Sequence, residues 1–503
     1  MDTPKNLLPK LPKPAVRKTR TAPTEKSLQR MDAFVVFFDH VTTLAKSKLP
    51  GCATLVALLE RQGHGQVATT ALPGKNATLV VACRIDRNAS QFDTLERCRA
   101  AATAATAGKP KRVGLIALGQ SDNEARVLEA AVYATTLAPF QLPKFSGKRI
   151  PPAVFADLTL YTQSRPDTHK VIATARGNCL ARWLTAMPPS HLDGHGYRAI
   201  AEHLSKQNGW RYRFHSASML KRRGAGAFTA VAQGNEDDSA GIVHIRRAAR
   251  SKANKMSVAL VGKGIIFDTG GTNLKPFDGM LNMHVDMGGS AVAMGALLTL
   301  SELNANMSID VWLGITENRT GPRAYKSQDV VTSLSGTTIQ TIHTDAEGRM
   351  VLADTLTLAS REKPSLILDF ATLTGACVNA VTPRYAGVFT NRASLHALLI
   401  EHGVAIGERV WPFPIGGEFR KLLNSKTADI MQCAPGGGGD HILAATFLNE
   451  FVTPTIPWVH MDLSAVEHKG GLGAVATDIT GYGVAYTTEL LLAHASTIAK
   501  AKA

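Results

Sequence analysis

Residues 257–275 read SVALVGKGIIFDTGGTNLK. Ser257–Val261 is a short apolar run of the kind that forms a buried strand, and apolar residues return at Ile265–Phe267. Asp268 is therefore expected at the carboxyl end of a strand. Gly270-Gly271 follow it, in a turn where backbone can approach a ligand closely. α/β folds place ligands outside the carboxyl ends of their strands. This stretch thus predicts an α/β domain with a charged site at a strand end.

Two further acidic segments extend the pattern. Asp286 stands just before Gly288-Gly289 and a small-residue helix expected over Gly289–Leu303, and Thr344-Asp345-Ala346-Glu347-Gly348-Arg349 forms the other. On an extended backbone Asp345, Glu347 and Arg349 would share one face. Taken alone, that fragment reads as a solvated strand edge with a salt-bridging arginine, and each glycine turn as a tight loop with a capping Asp. Together the segments offer four carboxylates, Asp268, Asp286, Asp345 and Glu347. Two divalent cations would balance them, and oxygen-rich sites suit Zn, Mn or Mg. Lys263 and Lys275 are open between three roles: a neutral amine ligand, if burial and neighbouring cations depress the pKa; a protonated group that stabilises an oxyanion; or plain neutralisation of the acids.

The remaining strands and helices frame these segments. Ile309–Ile315 and Leu366–Phe370 are further strand candidates, and a helix over about Thr168–Met187 leads to Pro188-Pro189, a helix stop and domain junction. Residues 31–165 alternate strand patterns (Ala77–Cys83, Arg112–Leu118) with helical periodicity over Glu124–Leu137, a small α/β domain without a catalytic cluster. The expected division is a disordered basic arm over 1–30, an amino-terminal domain over 31–165, a linker helix over 166–189 and a catalytic domain over 190–503. The arm carries five prolines among many Lys and Arg residues and too little apolar surface to fold alone. Gly436–Gly439 lacks the Lys-Ser/Thr of a phosphate loop and reads as a surface loop.

Composition sets outer limits. At 45% hydrophobic and 6% aromatic residues, 503 residues make an ordinary globular chain of two to four domains. No apolar run approaches the roughly 20 residues of a membrane span. The six cysteines are scattered without a framework, which suits a reducing compartment. No secretory signal opens the chain. A net charge of +16 fits either simple solubility or an acidic partner such as nucleic acid.

GKGIIFDTGGTNLKP, the DMGG at 286–289, TDAEGRMVLAD at 344–354 and ATLTGA at 371–376 occur in the order and spacing of the leucine aminopeptidase family, the two-metal cytosolic leucyl aminopeptidases. The resemblance spans about 165–490. It implies a small macro-like amino-terminal α/β domain plus a large catalytic α/β domain around a mixed sheet, assembled as a homohexamer. It implies that Lys263, Asp268, Asp286, Asp345 and Glu347 hold two ions, Zn or Mn, with Asp268 and Glu347 bridging both. Lys275 and Arg349 fall on the catalytic positions, Arg349 holding a bicarbonate that acts as general base. Met283, Thr372, Leu373 and Gly375 fall in the substrate pocket. The implied activity is removal of the amino-terminal residue, leucine and other apolar residues above all, from peptides in the cytoplasm, or in an organelle matrix if the basic arm is a targeting segment. Some bacterial relatives bind DNA, so the rival expectation is a nucleic-acid-binding architectural protein with secondary or lost peptidase activity; weak nucleic-acid binding through the basic surface is the matching partner, and no membrane partner is expected. The chain departs from the family at His343, where Asn is usual, and at His284, where Lys is common. His343, two residues before Asp345, is expected in the pocket for the residue after the scissile bond. His460 and Asp462 read as a buried structural pair.

Overall fold

The chain's computed structural model describes residues 7–61, 67–120, 122–146, 156–251, 255–436 and 438–502. The apolar run ending in Asp268 forms one long strand, Ser257–Asp268, at the heart of an eight-stranded sheet. The sheet order is Val410–Pro412, Ala386–Thr390, Trp458–Asp462, Leu366–Ala371, Ser257–Asp268, Ser308–Asn318, Gly241–Arg247 and Arg211–Ser216. The four central strands run parallel, and antiparallel pairs on both sides make the sheet mixed. Along Ser257–Asp268 the side chains alternate between two cores. Val258 and Leu260 pack with the helix Gly288–Glu302, and Ala259 and Val261 with the helix Glu347–Arg361 on the opposite face. Burial on both faces explains the near-continuous apolar run. All four parallel strands end at one edge, at Asn318, Asp268, Ala371 and Asp462.

The amino-terminal part forms a second sheet, in the order Ala15–Thr19, Asp157–Tyr161, Arg112–Leu118, Ala33–Phe38, Leu79–Arg84, Val67–Ala71, parallel but for its last pair. The expected strands and the helix Glu124–Leu137 are in place.

The disordered arm is corrected, apart from residues 1–6, which lie outside the described residues. Ala15–Thr19 pairs in parallel with Asp157–Tyr161 as an edge strand. Leu7 is buried, Trp183 Nε1 donates to its carbonyl at 2.7 Å, and Lys18 Nζ donates to the Pro166 carbonyl at 2.7 Å. Prolines are tolerated in an edge segment, Glu25–Leu28 forms one short capped helix, and the apolar surface that the arm lacks is supplied by the parts of the chain it lies along. The helix expected between the two domains is present as Thr168–Thr185. It gives Ala175 and Cys179 to the amino-terminal core and Leu180, Ala181 and Leu184 to the catalytic core. It crosses the helix Gly288–Glu302 so closely that a Cβ at Gly177 would stand 2.4 Å from the Gly295 carbonyl oxygen. It is a core element shared by both parts of the chain.

Candidate metal centre

The carboxyl edge of the parallel strands opens into a cavity of about 1160 Å³ lined by Lys263, Asp268, Lys275, Met283, Asp286, His343, Asp345, Glu347, Arg349, Thr372, Leu373 and Gly375. Every residue that the resemblance placed as ligand, catalytic group or pocket wall thus lines one space, whereas His284 and His460 do not line it. Lys263 and Asp268 project from the central strand, Asp286 from the 3-10 turn Met283–Met287, and Glu347 and Arg349 from the first turn of Glu347–Arg361.

Here the extended-strand reading of 345–349 is corrected: Thr344 and Asp345 form a turn and Glu347 starts a helix. Convergence comes from that helix start, not from strand parity. Helix geometry also brings Gly348 against Lys263, where a Cβ would stand 2.6 Å from Cε and 2.8 Å from Nζ.

Lys263 Nζ lies 2.8 Å from Asp286 Oδ1 and 3.0 Å from Glu347 Oε1, and donates to the Thr372 carbonyl at 2.9 Å. Lys275 Nζ lies 3.0 Å from Asp268 Oδ2 and 2.6 Å from Asp345 Oδ1. Asn318 Nδ2 donates to Asp268 Oδ1 at 2.7 Å and to Glu347 Oε2 at 3.3 Å, so the end of the next strand ties the two expected bridging carboxylates together. Thr372 Oγ1 donates to Asp286 Oδ1 at 2.7 Å.

The electrostatics show an excess of acid. Burial, with the nearby Asp268 charge and against Lys263, pushes Glu347 up to about 8. Burial likewise pushes Asp286 up to about 6 although Lys263 opposes it. Asp345 is raised by burial and by Asp268. Burial would lower both lysines, yet the surrounding carboxylates raise them. Acids and bases displaced upward together mark a pocket that favours added positive charge. Asp268, Asp286 and Glu347, all buried, bring ligand oxygens within 4.8 Å of one another, and Asp286 Oδ2 is buried without a hydrogen-bond partner. The donor set therefore fits hard divalent cations.

Bicarbonate fits less well. Arg349, 1% exposed, donates Nη1 to the Gln432 carbonyl at 3.2 Å and Nη2 to Asp440 Oδ2 at 2.6 Å. A carboxylate of the chain itself is already on the guanidinium that the anion would need. Burial would raise the Asp440 carboxyl, but Arg349 outweighs it and holds the group below its ordinary range.

Sequence reasoning missed Asn318, Gln432 and Asp440. A polar residue closing an apolar strand signalled Asn318, and an acid directly after the glycine run signalled Asp440. The loop reading of that run holds for its described glycines; Gly437 lies outside the described residues. His460 is a buried structural histidine, but its partner is Asp369, at 2.6 Å, not Asp462. Asp462 instead accepts from Leu373 N at 3.1 Å and Thr374 Oγ1 at 2.7 Å, shaping the pocket wall. His343 is exposed on a loop, its Nδ1 accepting from Asp345 N at 3.3 Å.

Fold and site together define a two-domain α/β protein with a buried, carboxylate-rich centre for divalent metal. The family model described as "Cytosol aminopeptidase family, catalytic domain" matches residues 179–488, and the chain belongs to that family. It is 34% identical over 448 residues to a probable cytosol aminopeptidase of Synechococcus sp. (strain CC9902), covering 87% of this chain and 91% of the relative. Matches to two further relatives of the same name span 63% and 64% of their length. Among solved structures, a tomato leucine aminopeptidase mutant superposes with a TM-score of 0.82 at 25% identity, covering 96% of this chain and 97% of that one. The bottromycin maturation enzyme BotP in complex with Mn superposes with a TM-score of 0.80 at 27% identity, covering 92% and 99%. No helix among the described residues is long and apolar enough to cross a membrane.

Proposed function

We propose that the chain is a metal-dependent aminopeptidase that hydrolyses the amino-terminal residue, leucine and other apolar residues foremost, from peptides. The observation that carries this reading is the convergence of four carboxylates and Lys263 on one buried pocket in a chain of the cytosol aminopeptidase family. Lys263, Asp268, Asp286, Asp345 and Glu347 would hold two ions, with Asp268 and Glu347 between them. Bound there, divalent ions polarise a carbonyl and make water acidic near neutral pH. Lys263 joins them only as a neutral amine, a state that neighbouring cations favour.

The chain's own groups do the rest. The carboxylates receive the substrate's free amine as well as the ions, which restricts attack to the first peptide bond. Lys275, cationic and 15% exposed at its side chain, offers Nζ to the oxyanion that develops on the carbonyl oxygen. Met283, Thr372, Leu373 and Gly375 bound the first side chain, and His343 the second. BotP's Mn complex supports manganese, with zinc the other candidate. A cytoplasmic homohexamer is the form proposed for the working enzyme, in keeping with the relatives' cytosolic names.

The test is hydrolysis of a panel of aminoacyl amides by metal-stripped protein refilled with Zn, Mn or Co, with bound metal measured alongside. Turnover of leucine amide that follows metal content is the expected result. No hydrolysis of any amide with any metal would overturn the reading.

A further inference from the structure

Amide hydrolysis needs a group that takes a proton from the attacking water and returns it to the leaving nitrogen. Asp268, Asp286, Asp345 and Glu347 are engaged with the lysines and would be engaged with ions, and Lys275 is a cation with nothing to accept a proton. Three other acids line the cavity besides Asp440. Asp462 is buried and spent on the 373–374 loop. Glu467 and Asp478 lie on the outer 467–478 segment and form no ion pair among the described residues.

Asp440 differs in how it is held. It opens the helix Asp440–Asn449, and Arg349, in the first turn of another helix and two residues past Glu347, grips one of its oxygens at 2.6 Å. The guanidinium is buried, while the Asp440 side chain is 31% exposed and lines the cavity. A buried arginine thus presents a carboxylate to the reaction space from the helix that also positions a metal ligand.

We propose that Asp440 is the built-in proton acceptor of the reaction, a carboxylate on Arg349 in place of an external carbonate. This rests on the aminopeptidase reading above. The attacking water gives one proton to an Asp440 oxygen as its own oxygen bonds to the carbonyl carbon. The C–N bond then breaks, and Asp440 returns that proton to the leaving amine nitrogen. The products are the free amino acid and the shortened peptide, and Asp440 ends as it began.

The experiment compares wild type, Asp440→Asn and Asp440→Gly in carbon-dioxide-depleted buffer, with and without added bicarbonate. Leucine amide turnover, bound metal and the linewidth of 13C-bicarbonate are read in parallel. Wild-type turnover should ignore bicarbonate. Asp440→Asn should lose about 100-fold or more in kcat while keeping its metal. Asp440→Gly should be as slow until bicarbonate restores it saturably, and it alone should broaden the 13C resonance. Asp440→Asn within about 2-fold of wild type, or wild type that broadens the resonance and speeds up with bicarbonate, would overturn the proposal while leaving an active aminopeptidase. A wild type silent on every substrate would overturn both readings.

Discussion

Replacing Gly348 with Ala tests whether the helix start and the central strand form one centre. The new Cβ would stand 2.6 Å from Lys263 Cε. Carbon pairs prefer about 3.5–4.0 Å, so roughly 1 Å must be found. Lys263 cannot simply swing aside, because Nζ is fixed by contacts of 2.8, 2.9 and 3.0 Å in a pocket where the residue is 3% exposed. Overpacking of this sort costs about 1–3 kcal/mol. Alanine's helix preference over glycine offsets about 1 kcal/mol of it. The net loss, about 0–2 kcal/mol, should lower Tm by only a few degrees. The effect on the site is larger, since ligand distances hold to about 0.2 Å and a shift of about 1 Å takes Lys263 out of range. Gly348→Ala should therefore stay folded, bind metal about 10- to 100-fold more weakly and lose turnover in step. Thermal unfolding, metal content after dialysis and leucine amide hydrolysis read the three quantities. A variant with wild-type metal content and turnover would refute the proposal that Lys263 is a ligand.

Three other outcomes are expected. Deleting residues 1–20 strips the edge strand from Asp157–Tyr161 and uncovers the surface beneath Leu7, so Tm should fall and soluble aggregates should appear in size-exclusion chromatography; unfolding at the wild-type temperature would show that the arm contributes nothing. Glu408 is pushed up to about 7 by burial, although it accepts from Gly483 N and Tyr486 N. The folded state therefore binds the extra proton, and stability should fall as pH rises from about 4.5 to about 7; in chemical denaturation, Glu408→Gln should flatten that slope, and an unchanged slope would clear Glu408 of it. On dipeptides with leucine first, His343→Asn should change kcat/KM selectively with the second residue and leave leucine amide nearly untouched; a uniform change would place His343 outside that pocket.

Much of the centre was legible because its signals are local. Apolar residues ending in Asp268 and a glycine pair mark a strand that closes on a ligand, whatever the rest of the chain does. The carboxylates and lysines carry their charge count in their identities, and ordered motifs on both sides tied them to one family. Conformation at 345–349 was not legible, because a six-residue window of alternating charge suits a strand as well as a helix start. The packing of Val351 and Met350 against the sheet selects the helix. Nor does any local pattern connect Arg349 with Asp440, Asp268 with Asn318, or His460 with Asp369, since each pair is joined only when distant strands and helices come to the same edge. The amino-terminal arm shows the same division. Its prolines and positive charges describe a segment that cannot bury itself, which is true of the segment in isolation. Its order in the folded protein depends on an open sheet edge and an apolar surface that other parts of the chain provide, and composition does not register a surface supplied from elsewhere.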